Sequence, residues 1–517
     1  MVSERNKRIA HNTLMLYFRQ LLILFVSLYT IRIVLHQLGV EDYGIYGAVG
    51  GLVALSAFLP GTLAQATQRF FSFALGEQND ERLKKTFSVN LTLYVSVALI
   101  ALIALQTIGL WFVNTELSVP EGRFEAAKTL YHYATLTFLV SVITSPFMAI
   151  IMAHEDMKLY AYISIIEAFM KLGVVFLLQY IAWDKLELYG LLVLCVGTIN
   201  AVLYIGICLY RYDECQFRKF YWDAALFREI IGFTGWTLFG AISTVARTHA
   251  VTVLLNQSFS PAVVAARALA VQIAGQVNIF SSNFNSSLYP PIIKAYAANK
   301  RQEMYGLITG GSKITFFLLW IFALPMMVKM DAVLSIWLKT VPSDAVLFSQ
   351  LALVEALIMS ISMPLFAAAR APGKMKVYEL TLGSIQIGIL LTAWAVVAAG
   401  APAYAVFIVA ILANILMFGV RLFLVNWLTG FPVENFLRFT ALPIIGIVSI
   451  SALPITVMNH LLPNGFYWSV LVIFASFAVS SIAMYSIGLD KSWREKIVET
   501  IRSRLLKLKI SLQRMRF

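Results

Sequence analysis

The sequence predicts an all-α polytopic membrane protein, and three observations predict it. Sixty per cent of the 517 residues are apolar, and the mean hydropathy is +0.78. Charged residues make up 13%, about half the usual share of a soluble domain. The apolar sequence is also cut at short intervals into about fourteen segments, each near the ~20 residues that satisfy backbone and bilayer together. A chain built almost wholly of such segments has the bilayer as its solvent.

The spans read at 12–36, 43–75, 86–113, 126–152, 158–181, 187–211, 226–258, 261–298, 306–329, 345–371, 375–399, 402–428, 434–458 and 464–487. The first is too long for a signal-peptide core, and no small-residue cleavage site follows it. The second and eighth exceed what a bilayer needs and are expected to project beyond it. Each follows a tight, charge-poor turn, LGVEDYG at 38–44 and FSPA at 259–262. Each then runs into a charged stretch, GEQNDERLKK and ANKRQE.

The net charge of +13 is a topology signal. Counting charges near a span's end with the adjoining connection, an N-terminus in the cytoplasm puts 28 Lys/Arg on the cytoplasmic side and 5 outside, with 7 deeper inside spans. That split obeys the positive-inside rule and argues against a nucleic-acid partner. Both termini are expected in the cytoplasm. Residues 490–517 carry an apolar stripe from Ile497 to Met515 among nine Lys/Arg. This predicts a basic amphipathic helix on the anionic lipid leaflet. Three cysteines imply neither a disulfide framework nor a metal site, and Walker, HExxH and GxSxG patterns are absent. No cofactor and no catalytic residue are expected.

The chain also resembles itself at an offset of about 218–221 residues. SPFMAIIMAHEDMKLY (145–160) lies over MPLFAAARAPGKMKVY (363–378), with Pro146/Pro364, Ala149/Ala367, Ala153/Ala371, Met157/Met375, Lys158/Lys376 and Tyr160/Tyr378 identical. Six spans per copy is an even number. The copies therefore share an orientation and should be related by an axis along the membrane normal. The expected organisation is a six-helix lobe over 1–215, a second over 216–430, two further spans over 431–488 and the basic tail over 489–517.

Ionisable side chains inside spans are costly and usually face a bundle interior or an aqueous cavity. Here they are Arg19, Arg32, Arg69, Lys171, Arg247, Arg267 and Lys313 against Glu167, Glu355 and Glu379. Glu167 and Lys171 are spaced i, i+4 and should pair. The five arginines come from the first two spans of each half. Excess cation asks for an anionic cargo, and Arg suits the paired oxygens of phosphate or carboxylate. Arg19, Arg32, Arg69, Arg247 and Arg267 are therefore the candidate anion-binding set. Thr62 and Gln65 share a stripe with Arg69. They form a candidate polar wall with Gln272, Gln276 and Asn283, whose amides and hydroxyls suit sugar hydroxyls. Glu355 is a candidate for ion coupling.

RIVLHQLGVEDYGIYGAVGGL (32–52) and ATQRFFSFALGEQNDERLKKTFS (66–88) resemble the opening of Wzx-type polysaccharide and O-antigen flippases. These belong to the multidrug/oligosaccharidyl-lipid/polysaccharide exporter superfamily. The resemblance covers roughly 1–430. It implies two MATE-like lobes, a cationic cavity and alternating access in the bacterial inner membrane. The implied cargo is an undecaprenyl-diphosphate-linked oligosaccharide for O-antigen, capsule or related glycan export, with glycan polymerase or ligase partners. The alternatives are a cation-coupled multidrug exporter of the same superfamily and an integral-membrane glycan polymerase or ligase. The first would want a net acidic cavity, the second a large external loop.

Overall fold

A computed structural model describes residues 2–54, 56, 58–117, 119–120, 122–217, 219–338, 341–463, 465–489 and 494. The expected tail helix at 490–517 lies outside the described residues, Arg494 apart. The described residues are helical almost throughout: α1 Val2–Ala54, α2 Phe58–Gly76, α3 Asp80–Thr115, α4 Phe124–Ala153, α5 Met157–Tyr180, α6 Lys185–Arg211, α7 Ala224–Ser258, α8 Pro261–Ala297, α9 Arg301–Val328, α10 Met330–Trp337, α11 Ala345–Arg370, α12 Met375–Ala398, α13 Ala405–Thr429, α14 Val433–Leu461 and α15 Phe466–Gly488.

Among the described residues, thirteen helices are long and apolar enough to cross a bilayer. The second expected span, 43–75, falls on two helices among the described residues. Its first part runs on from the first span through a bend at Gly39, where φ is 73°, and ends at Ala54. Its second part restarts at Phe58. Pro60 sits in that first turn, where its missing N–H costs no helical bond. The helix ends follow local chemistry. The Asn79 side chain accepts from Arg82 N at 2.9 Å and starts α3 with Asp80 and Glu81 in the first turn. Gly430, at φ 72°, ends α13.

Large apolar side chains point outward along these helices, as Leu99, Ile100 and Ile103 do on α3 and Leu412, Leu416 and Phe423 on α13. Lipid makes such surfaces stable.

The described chain divides into two compact units. Unit 1 holds the described residues up to Thr248, with Asn283–Leu307 and Phe366–Ile387. Unit 2 holds His249–Ser282, Ile308–Leu365 and the described residues from Gly388 on. Within unit 2 a core of Phe316, Trp320, Phe348, Leu353 and Phe407 extends to Ile447 and Val472 of the two extra spans. Trp320 Nε1 donates to Ser451 Oγ at 3.0 Å, fixing α14 against α9. In unit 1 Phe71, Phe87, Phe147 and Ile150 form a core with Tyr204.

The repeat is visible in the backbone. α3 and α9 start 221 residues apart, and α5 and α12 start 218 apart at Met157 and Met375. Among the described residues, three that are not glycine have left-handed backbone: Gln78, Glu155 and Asn299. All three fall in repeated turns. Gln78 corresponds to Asn299, and Glu155 to Gly373, at φ 81°. The bonds match as well. Gln78 N reaches Leu75 O and Asn79 N reaches Ala74 O, as Asn299 N reaches Tyr296 O and Lys300 N reaches Ala295 O.

Candidate functional site

The repeated turns of unit 1 gather at one end, and there the ends of α2 and α8 cross. A Cβ on Gly76 would lie 2.7 Å from Lys294 O and 2.8 Å from Ala297 Cβ. Only a residue without a side chain lets the two backbones approach so closely. Gly76 and Ala297 are 221 apart, so α2 and α8 meet at equivalent residues. This is the contact expected of a twofold axis between the repeats.

From the crossing, each helix grips the turn belonging to the other repeat. On α2, Arg69 is 1% exposed. Its Nε donates to Arg370 O at 3.2 Å and its Nη2 to Ala371 O at 2.7 Å. Those carbonyls end α11, where unpaired acceptors and the helix dipole favour a cation. Nη1 lies 3.4 Å from Glu229 Oε1, and the guanidinium packs on the rings of Phe70 and Phe73. Gly373 leaves room for it, since a Cβ there would sit 2.7 Å from Arg69 Nη2. One turn away, Gln65 Oε1 accepts from Arg370 Nη1 at 2.7 Å.

On α8, Lys294 Nζ holds Glu155 Oε1 at 2.7 Å, and Arg8 Nε lies 3.4 Å from Glu155 Oε2. The Glu155 carboxylate is 8% exposed. Arg8 Nη2 donates to His154 O at 2.6 Å and Asn12 Nδ2 to Glu155 O at 3.0 Å. Below them Thr13 and Ser287, both buried, share a hydroxyl bond of 2.8 Å. A pocket of about 560 Å³ opens beside Glu155 and Lys294.

The other candidate residues lie elsewhere. Arg19 is half-buried and lines a separate pocket of about 370 Å³ with Tyr160, Ser164, Glu167 and Lys171. Its guanidinium lies 4.8 Å from the Tyr160 ring centre and makes no ion pair among the described residues. Glu167 in the same pocket is held by Lys171 at 2.7 Å, the expected i, i+4 pair, and by Asn200 at 3.1 Å. Arg32 is exposed and Arg247 half-buried. In unit 2, Arg267 Nη1 donates to Thr252 Oγ1 at 2.6 Å, and Glu355 accepts from Asn414 at 3.0 Å. Gln272 and Gln276 are exposed. Asn283 is buried, and the Thr62 hydroxyl bonds its own helix at Phe58 O. Ser281, also on α8, donates to Thr315 O of α9 at 2.7 Å, a helix–helix contact.

Arg69 and Gln65 are thus brought together, around Arg370. Glu155, Lys294, Arg8, Glu229 and Arg370 escaped sequence reasoning because they sit at span ends, where charge reads as topology. The available signal was the repeat itself, since its best-matching window contains both gripped turns.

Away from this end, Arg123 binds both Asp42 and Asp184. The hydrogen bond from Arg123 holds the Asp184 carboxyl below its usual range. Asp184 Oδ1 also caps α6 by accepting from Leu186 N and Glu187 N.

No protein-family model matches the sequence, and no curated protein matches it. Solved structures do. A point mutant of a MATE superposes with a TM-score of 0.71 at 13% identity, covering 82% of this chain and 97% of that one. The outward-facing conformation of a multidrug resistance MATE family transporter of the MOP superfamily gives 0.69 at 14% identity, over 82% and 95%. A mutant of the Vibrio cholerae MATE transporter VcmN gives 0.61 at 16%, over 82% and 97%. The fold is that of the MATE structures.

Proposed function

We propose that this chain is a flippase. It moves an undecaprenyl-diphosphate-linked oligosaccharide across the bacterial inner membrane by alternating access, for surface polysaccharide synthesis, and it is not an enzyme. The lobes 1–215 and 216–430 rock about the twofold axis, with both termini in the cytoplasm. The MATE fold supports a transporter, and the excess of arginine over carboxylate inside the spans supports an anionic cargo. The observation that carries the reading is Arg19, a half-buried guanidinium in a pocket, with no ion pair among the described residues. A cation left in that position is stabilised by an anion that arrives from outside the protein.

The multidrug reading has its own support, because one similar structure is a multidrug resistance transporter. The two readings separate at Arg19. A cationic drug gains nothing from that charge, whereas a diphosphate loses a charge-assisted contact worth about 1.5–3 kcal/mol, roughly tenfold to a hundredfold in affinity. Glycan export is measured in cells carrying Arg19→Ala, Arg19→Gln and Arg19→Lys, with membrane abundance followed alongside. Alanine and glutamine should reduce export by that factor, and lysine should restore part of it, lacking the planar fork. Full export with glutamine would remove the anionic cargo from the reading.

A further inference from the structure

The pocket beside the α8 grip combines charge, geometry and a strained turn. It is lined by Arg8, Lys294 and Lys300 against Glu155 and Glu303, with Gln78 at its edge. Two of the three cations converge on one carboxylate, Glu155. Arg8 is half exposed, so one face of its guanidinium remains open to an entering ligand. Glu155 itself holds a left-handed backbone, φ 64°, which residues with a side chain rarely adopt. The turn's own bonds, Glu155 N to Met152 O at 3.0 Å and Asp156 N to Ile151 O at 3.1 Å, close it, and the ion pairs and the Asn12 bond tie it to its neighbours. Removing Lys294 from its carboxylate therefore removes the grip of α8 on this turn, while the turn's own backbone bonds remain.

We propose that this pocket binds a phosphate or diphosphate group, which takes Lys294 and Arg8 from Glu155 and so releases the α8 grip. The inference rests on the alternating-access reading above. It adds an anion-operated release to it, at a site separate from the Arg19 pocket. A diphosphate offers two sets of oxygens to a fork and an ammonium that now share a single carboxylate. The two grips differ in this respect. Arg69 of α2 holds main-chain carbonyls, which an anion cannot replace, as Arg8 and Asn12 of α1 do at the other turn, whereas Lys294 of α8 holds a carboxylate, so the α8 grip is the one an anion opens.

The test uses the full chain in phosphatidylcholine nanodiscs, with Ser287→Cys as reporter and the three native cysteines replaced. Ser287 is buried under the grip. Its reaction with a hydrophilic maleimide should rise about tenfold or more when inorganic pyrophosphate is added. Glu155→Gln should raise the rate without pyrophosphate. Lys294→Gln combined with Arg8→Gln should also raise the basal rate and abolish the pyrophosphate response. A second set of discs containing phosphatidic acid separates the sources: a response to the lipid alone assigns the site to a lipid headgroup, and a response to pyrophosphate assigns it to a free diphosphate.

Should the cysteine-replaced protein misfold, hydrogen exchange at the His154, Glu155 and Asp156 amides of the unmodified chain reads the same release. Unchanged labelling and exchange with both anions overturns the proposal. A response that persists without Lys294 and Arg8 overturns it as well. Neither readout involves glycan. A gate that responds in a chain exporting no oligosaccharide would retire the cargo, and export without a response would retire the site.

Discussion

The turn at 153–157 and the turn at 371–375 share a backbone but not a means of attachment. Both follow a proline-containing helix, both carry a left-handed residue at the same position, and both lead into a helix starting at Met. The first is held by an ammonium and a guanidinium on a carboxylate, with Arg8 and Asn12 also on its carbonyls, and the second by a guanidinium on carbonyls. The residues that grip are not repeat equivalents either. Arg69 aligns with Pro290, and Lys294 with Phe73. The two turns therefore share a conformation and differ in the chemistry that holds it. One grip became permanent in character and the other exchangeable.

The sharpest way to break this comparison is to remove Arg69. Arg69→Ala strands two carbonyls, exposes Glu229 to an empty site and leaves a void among Phe70, Phe73 and Phe233. Breaking a buried, hydrogen-bonded charge site costs about 3–5 kcal/mol. Lys294→Gln, at a more exposed and exchangeable site, should cost about 1–3 kcal/mol. Thermal unfolding in detergent should rank them in that order. Equal losses would mean that the two grips are equivalent after all.

The crossing point gives the next effect. Gly76→Ala places a Cβ under 3 Å from main-chain atoms of α8, which cannot rotate away. Overpacking of this kind costs about 1–3 kcal/mol, and the helices must part to relieve it. The expected result is a lower melting temperature together with faster maleimide labelling of a cysteine at Ser287. Labelling that stays slow would show that the two grips hold without the crossing.

Much of this was legible beforehand, and for a physical reason. Span count and class follow from hydropathy, which acts at every residue. The repeat followed from identities such as Pro146/Pro364 and Met157/Met375, positions that fix a backbone. The broken second span was missed because Pro60 interrupts a helix without interrupting its hydrophobicity. Arg69 is buried, but burial does not say whether a guanidinium meets a cavity or a helix end. That choice depends on Arg370 and Ala371, some 300 residues away in sequence. Glu155 and Lys294 were invisible for the opposite reason: they sit where charge is cheap, so nothing about them called for a partner.

The smallest effect tests whether a shared ionic centre behaves alike at both sites. Arg123 is the inverse of Glu155, one cation between two carboxylates, Asp42 and Asp184, in place of one carboxylate between two cations. The centre is partly exposed, so Asp184→Asn should cost no more than about 1 kcal/mol at neutral pH. Its pH dependence has a definite sign. The Arg123 bond lowers the Asp184 carboxyl below its ordinary value, which is about 3.9. Its stabilisation is therefore fully present above that ordinary value and is lost as pH falls through the lower, folded-state value. Melting temperatures of the parent chain and Asp184→Asn should differ by a constant amount from pH 7 down to about 5, then converge below about 4. Subtracting the two curves cancels the titrating groups that do not touch this centre, Glu155 included. A gap that widens on acidification would mean that Asp184 is not held by Arg123, and the two ionic centres would then have nothing in common.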